Sequence, residues 1–278
     1  MYLSRTIISA RQEVAIMGNI IRSDLYRLRK SKVFWACLGV TFALAVGWVF
    51  MSVGLSLWGS ILSPDTVKFT TKVDYSLASL ISEPVGGMVL PVIMLLSMVS
   101  FCYADLSNGY IKNIAGHVKK RSHTAISKYL VMAVLTLIFM VVSVLGAILG
   151  SYLQMLTGGG TFDFTSKIGS AVLVFILKYL LYMALASILL FLSTGLRSKT
   201  LASVIGVLFG SGLLSLLYSS LGGLIHFDLD KYMPDSLSGQ LQYATVGTLV
   251  VNALLVSIGF IIVFTVLTCQ IMDKRDVK

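Results

Sequence analysis

Residues 104–128 read ADLSNGYIKNIAGHVKKRSHTAISK. They form a short basic island with a long apolar run on either side. The chain has 278 residues, 56% of them hydrophobic and only 12% charged. A soluble domain carries roughly 25% charged residues. So large an apolar surplus does not fit inside one globular core, and lipid must serve as the solvent. The composition therefore predicts an all-α integral membrane protein, with the island as a basic break between two of its apolar runs.

A bilayer core of about 30 Å takes about 20 apolar residues in a helix. Six runs meet that length: 33–58, 86–103, 129–156, 168–192, 201–221 and 246–272. The net charge of +10 is distributed by topology rather than gathered into a nucleic-acid surface. Seventeen Lys and Arg precede the first run, fill the island, occupy the turn at Arg197 and Lys199, or lie in the tail from Lys274. The other connections hold only Lys68, Lys72, Lys167 and Lys231. An excess of Lys and Arg marks the cytoplasmic side. The expected arrangement is six spans of a plasma or inner membrane, with both termini cytoplasmic and no nucleic-acid partner. Cys37, Cys102 and Cys269 each lie in or at the end of an apolar run and read as reduced packing residues. No cleavable leader is expected, since more than thirty residues rich in Arg and Lys precede the first run.

Before that run, Val14, Met17, Ile21, Leu25 and Leu28 recur at helical spacing, and Arg22, Asp24, Arg27, Arg29 and Lys30 fill the other face. This predicts an amphipathic helix over 12–31 lying on the membrane surface. Pro91 falls inside the second run and predicts a kink there. The connection TGGGTFDFTSK, 157–167, reads as a flexible outer hairpin. Nothing in it completes a phosphate loop. The segment 222–245 contains His226, Asp228 and Asp230 with breakers at Pro234 and Gly239. It reads either as a plain extracellular loop or as short helices dipping back into the bilayer. One His and two Asp are too few ligands for a structural metal site.

Catalytic chemistry is sparse. The chain contains no H-E-x-x-H, no G-x-S-x-G and no nucleotide-binding motif, and no acidic residue lies inside any predicted span. These gaps argue against an intramembrane hydrolase, a proton-coupled carrier and an ATPase. Lys178 is the exception, about ten residues into the fourth span, roughly 15 Å from its outer end. A charge at that depth costs at least about 2.5–3.5 kcal/mol. Tyr182 lies one turn away and Asn252 at comparable depth in the sixth span. These three either bond inside the bundle or line a translocation path. Gly146 with Gly150, and Ala202 with Gly206 and Gly210, form small-residue stripes for close helix packing, within one bundle or at a dimer seam.

Asn108-Gly109 marks a turn in the island, and Tyr110, Ile111 and Ile114 share one side of a short helix, with Lys112 and Asn113 opposite. About 24 residues exceed what joins adjacent helices. The segment is a solvated basic loop or a helix whose apolar side docks on a partner. At these residues the chain resembles the ABC type-2 permease family. The shared pattern is an acidic residue closing the second span (Asp105), then N-G-x-I-K-N (Asn108 to Asn113), a basic cluster (Lys119 to Arg121) and a Lys opening the third span (Lys128). Arg27, Arg29, Lys30, Ser31 and Lys32 before Phe34-Trp35 are similar to the family's entry into its first span. Within the family the chain is similar to permeases for bacteriocin or lantibiotic immunity and for amphipathic-peptide export.

The resemblance implies six helices per subunit behind an amphipathic connecting helix. It also implies a coupling helix at 105–128 that contacts a separate ABC ATPase subunit through Asp105, Asn108, Gly109, Tyr110, Ile111, Lys112, Asn113 and Ile114. Two permeases, identical or homologous, would pair with two ATPases. ATP and Mg²⁺ would sit on the partner and no cofactor on this chain. The segment 222–245 would match the family's re-entrant exit helices. The function expected is export of a hydrophobic or amphipathic peptide. The alternative is a passive channel, or an immunity scaffold that sequesters a peptide without an ATPase.

Overall fold

A computed structural model describes residues 17–62, 73–76, 79–81, 85, 89–107, 122–156, 160–163, 168–196, 198–241 and 247–274. Nine helices lie among them. They are α1 (Met17–Lys30), α2 (Lys32–Leu62), α3 (Val89–Ser107), α4 (Ser122–Leu156), α5 (Ile168–Gly195), α6 (Lys199–Gly210), α7 (Leu214–Ile225), α8 (Pro234–Gln240) and α9 (Gly247–Lys274). A 3₁₀ turn, Leu229–Tyr232, stands between α7 and α8. Helix α4, α5 and α9 are each long and apolar enough to cross a membrane; counting the bent pairs α1–α2 and α6–α7 as one span each raises that number to five. The shorter α3 is also apolar. This is a helical membrane protein, and each apolar run read from the sequence falls on a helix or a broken pair.

Helix α1 meets α2 at an angle of 63°. Ser31 makes that corner. Its hydroxyl accepts from the Phe34 N–H at 3.4 Å, capping α2, while its own N–H closes on the Leu28 carbonyl at 3.0 Å. The Trp35 indole donates back to the Arg29 carbonyl at 2.7 Å. One expectation for α1 fails. Asp24 is only 2% exposed and lies with Ile20 and Leu28 on the packed stripe, rather than with the basic residues facing out. The Ser127 hydroxyl of α4 donates to it at 2.9 Å, and Arg27 lies 3.7 Å away. A buried carboxylate survives in such a seam because charged hydrogen bonds replace the water it loses.

Helices α2 and α4 run side by side in the same direction. Phe34 meets Phe139 edge to face at 6.0 Å. Further along, Gly146 lets the helices close: a Cβ there would sit 2.8 Å from the Ala45 Cβ and 3.0 Å from the Phe42 carbonyl. The main core gathers around α3, where Met94, Leu95, Met98 and Val99 are fully enclosed by α4 and α5 residues such as Leu135, Phe139 and Leu189. Helix α5 is buried along most of its length, whereas α9 packs along it but presents much of its own surface outward, through Val251, Leu255 and Ile262 among others.

Three further readings change. Pro91 does not kink a helix interior. Helix α3 begins at Val89, so Pro91 occupies its first turn, where a missing N–H leaves no bond unmade. The run 201–221 is not one straight helix. It breaks at Ser211–Leu213, and α7 leaves α6 at 70°. Gly212 takes φ +68° there, a conformation costly for residues with a Cβ. Finally, the glycine-rich connection after α4 is not wholly a flexible hairpin. Gly160–Asp163 is strand β2, paired in parallel with strand β1, Val73–Ser76, in the register Val73 to Gly160 through Ser76 to Asp163.

Candidate functional site: a basal cluster and an acidic cavity

At the end of the bundle that carries α1, the two stems of the island are fastened. The Tyr103 hydroxyl on α3 reaches the Leu196 carbonyl at 2.7 Å and the Ser198 carbonyl at 2.9 Å, tying α3 to the turn between α5 and α6. On the return side the Ser122 N–H donates to Asp273 of α9 at 3.0 Å, and the Thr124 hydroxyl contacts the Met272 sulfur at 3.5 Å. Lys128 is buried beside Ser127, 4% exposed. Asp105 stands in the last turns of α3. Asn108, Gly109, Tyr110, Ile111, Lys112, Asn113 and Ile114 lie outside the described residues. On α1, Arg22, Arg29 and Lys30 are exposed, Lys30 over the Tyr26 ring at 4.8 Å, while Arg27 is half-buried. They supply a basic outward face beside the island's stems.

Lys178 and Tyr182 are both fully buried on α5. The Tyr182 hydroxyl donates to the Val85 carbonyl. Asn252 is half-buried on α9. None of the three lines the large cavity described next. Gly150, Ala202, Gly206 and Gly210 are buried with Gly146 against neighbouring helices of the same chain. Gly210 abuts the α3 backbone, where a Cβ would lie 2.7 Å from Val92 N and Cα.

Toward the opposite end, a cavity of about 1030 Å³ opens between α2, the start of α3, the α6–α7 break and α8. Leu44, Trp48, Leu90, Ile93 and Phe209 form apolar walls, and Ser143 and Ser215 add hydroxyls. The remaining wall is acidic. Helix α8 contributes Asp235, Ser236 and Gln240, and the preceding 3₁₀ turn contributes Asp230. No Lys, Arg or His is among the described lining residues. Asp235 is 6% exposed, its carboxylate lies against the backbone N–H groups of Asp235 and Ser236, and no described side chain donates to it. Burial pushes the Asp235 carboxyl up to about 6, and the nearby Asp230 adds to the rise; the backbone N–H groups of Asp235 and Ser236 oppose it.

Folding holds α8 in this place through apolar contacts. Leu237 and Leu241, each nearly fully buried, pack on Leu177 and Leu181 of α5 and near Ala253 of α9. Leu177 is nine residues into α5, about 14 Å along the helix at 1.5 Å per residue. The return from α7 to α8 begins at His226, the left-handed cap of α7 at φ 55°. Asp228 outside the cavity pairs with Lys231 at 2.5 Å, and Phe227 stacks on Tyr232 at 5.2 Å. Among the described residues, no three His, Cys, Asp or Glu side chains converge as metal ligands. Sequence reasoning passed over Asp235. The available signal was an acid after Pro234, two residues before Leu237 in a short amphipathic turn.

The profile of ABC-2 family transporter proteins matches residues 20–213, from α1 through the α6–α7 break. Asp230 and Asp235 lie beyond the matched span. No curated protein matches the chain. The profile covers well over half of the 278 residues. Together with the helical bundle, the match establishes that the chain belongs to the ABC-2 family of transporter proteins, as a membrane permease component.

Proposed function

We propose that this chain is the six-span permease subunit of an ABC exporter, driven by a separate ATPase that docks on residues 105–128. The carrying observation is the fastening of the island's stems. Tyr103 ties one stem to the α5–α6 turn, and Ser122 and Ser127 tie the other to α9 and α1. A push on the island therefore reaches α1, α3, α4, α5 and α9 together. That is the mechanical requirement for a subunit with no nucleotide motif of its own. The Lys and Arg distribution supports placing this end, with both termini, in the cytoplasm. The docking of α8 at Leu177 and Leu181, well along α5, supports the re-entrant reading of 222–245. A large, mostly apolar cavity supports an amphipathic substrate such as a peptide, moved between two permease subunits.

The test is co-purification followed by turnover. Gentle solubilisation should yield a stoichiometric ATPase, and its substrate-stimulated hydrolysis in liposomes should fall at least tenfold in Ile111→Asp or Gly109→Pro with assembly intact. Full turnover in both variants, or no ATPase in the complex, overturns the proposal; the second result supports a passive scaffold.

A further inference from the structure

Helix α1 has two opposite faces. Ile20, Asp24 and Leu28, spaced four apart, are its buried stripe. Leu28 joins the main core, and Asp24 is fixed to Ser127 of α4. The packed side of this helix is therefore occupied by protein and cannot also enter a bilayer. The other side carries Arg22, Tyr26, Arg29 and Lys30 at i, i+4, i+7 and i+8, all exposed, and Lys32 continues it past the Ser31 corner. Among the described residues, no carboxylate pairs with Arg22, Arg29, Lys30 or Lys32. Asp24 is the only acid between residues 17 and 35, and it is buried.

Aromatic side chains flank these unpaired cations. The Lys30 ammonium lies over the exposed Tyr26 ring, 4.8 Å from its centroid. Trp35, 55% exposed in the first turn of α2, donates its indole N–H to the Arg29 carbonyl at 2.7 Å, so it stands directly under the basic face. Exposed Val33 and Val40 carry that outward surface on along α2. Aromatic rings beside Lys and Arg at the mouth of an apolar helix belong at the depth of lipid headgroups.

We infer that the outward face of α1 and the Ser31 corner form a binding site for an anionic phospholipid, with Arg29, Lys30 and Lys32 as counter-ions of its headgroup and Trp35 against the top of its acyl chain. Lipid is met here through charge, not through an inserted apolar face as in an ordinary surface helix. A zwitterionic headgroup brings as much positive as negative charge and leaves the cations uncompensated. An acidic protein surface matches the charge, but in covering Arg29 and Lys32 it meets Val33 and Trp35, where the outward apolar face of α2 begins. The inference goes beyond the exporter reading: it needs α2 to enter a bilayer and needs no ATPase.

Trp35 is the reporter. Full-length permease carrying Trp48→Phe and Trp58→Phe is reconstituted in mixed phosphatidylcholine and phosphatidylglycerol bilayers. One of the two lipids has chains brominated near the headgroup, which quench an adjacent indole. Exchanging the brominated lipid gives the relative occupancy beside Trp35. At about 0.1 M salt, phosphatidylglycerol should be preferred at least about fivefold, the effect of roughly one cation at an anionic surface. Arg29→Gln, Lys30→Gln and Lys32→Gln together should bring the ratio below about twofold, with quenching in pure phosphatidylcholine unchanged. Arg29→Lys, Lys30→Arg and Lys32→Arg together should keep the preference, and Lys231→Gln, at the opposite end, should behave as wild type. If neutralisation disturbs insertion, the unsubstituted cations in about 1 M salt replace it; the Debye length there is about 3 Å, and the ratio should collapse in the same way. A ratio near one with all cations present, or a preference of about fivefold that persists after neutralisation or in about 1 M salt, overturns the proposal. A ratio near one together with loss of a co-purified ATPase on neutralisation overturns it in favour of a protein partner. The exporter reading fails by a different result: lipid preference intact, with no ATPase in the complex.

Discussion

Replacing Gly210 with Ala is a small chemical change that the packing of α6 against α3 should resist. The new Cβ falls 2.7 Å from both N and Cα of Val92 and 3.0 Å from the Pro91 carbonyl carbon. Ordinary contact begins near 3.4 Å, so the two helices must part by about 0.7 Å. Every atom opposed is backbone, and no side chain can rotate away. Overpacking of this kind costs about 1–3 kcal/mol, offset by about 0.5–1 kcal/mol from removing a helical glycine. The net expectation is a loss of about 1–2 kcal/mol, or roughly 2–8 °C in unfolding midpoint for a chain of this size. Gly206→Ala is the internal control. Its Cβ meets only the end of the Leu189 side chain at 3.0 Å, with nothing else nearer than 3.8 Å. Leu189 can rotate, so cost and gain should nearly cancel. Cys102, 2% exposed in α3, supplies the readout. In a Cys37→Ala, Cys269→Ala background, a thiol-reactive dye reports the temperature at which α3 is uncovered. Equal midpoints for Gly210→Ala and Gly206→Ala, or a larger loss at Gly206, would refute the α3–α6 geometry.

Two further substitutions probe the buried carboxylates. Asp235 binds its proton more tightly when folded, at about 6 against 3.8 in the open chain. The contribution of Asp235 to stability is therefore greatest below about pH 4, falls as pH rises through 4 to 6, and is flat above. Asp235→Asn removes that loss, so its advantage in unfolding free energy should grow across that window and level off at about 2–3 kcal/mol; a pH-independent difference would contradict it. Ser127→Ala deletes the hydroxyl that donates to buried Asp24 at 2.9 Å. Chemical unfolding in mixed micelles should show a loss of about 1.5–3 kcal/mol, and no loss would mean that α1 is held by lipid rather than by α4.

Length and hydropathy made the helices legible, because a span needs only composition. They did not make the exceptions legible. Asp24 was assigned to the polar face because its charge outweighed its position, yet Ile20, Asp24 and Leu28 are spaced four apart and form the packed stripe. Its partner Ser127 is 103 residues away, beyond any local pattern. The α6–α7 break is a matter of backbone angle at Gly212, which hydropathy does not register. Helix α8 has only seven residues, too few to stand out in an apolar average, so nothing in the sequence pattern singles out Asp235. The pairing of 73–76 with 160–163 joins two connections that each look unremarkable alone. By contrast, Gly146 and Gly210 were recognisable, since a small residue every fourth position has few purposes in a membrane helix.

The strand pair has a mechanical meaning. Two helices running the same way leave their following chains running the same way, and β1 after α2 and β2 after α4 accordingly pair in parallel. The ribbon laces together the exits of the two helices that Phe34, Phe139 and Gly146 already join lower down. Fastened at three heights, α2 and α4 act as one stiff plank. The cavity borrows that plank as its fixed wall, through Leu44, Trp48 and Ser143. Its other wall is the jointed side, where α6 turns into α7 at 70° and α8 folds back with Asp230 and Asp235.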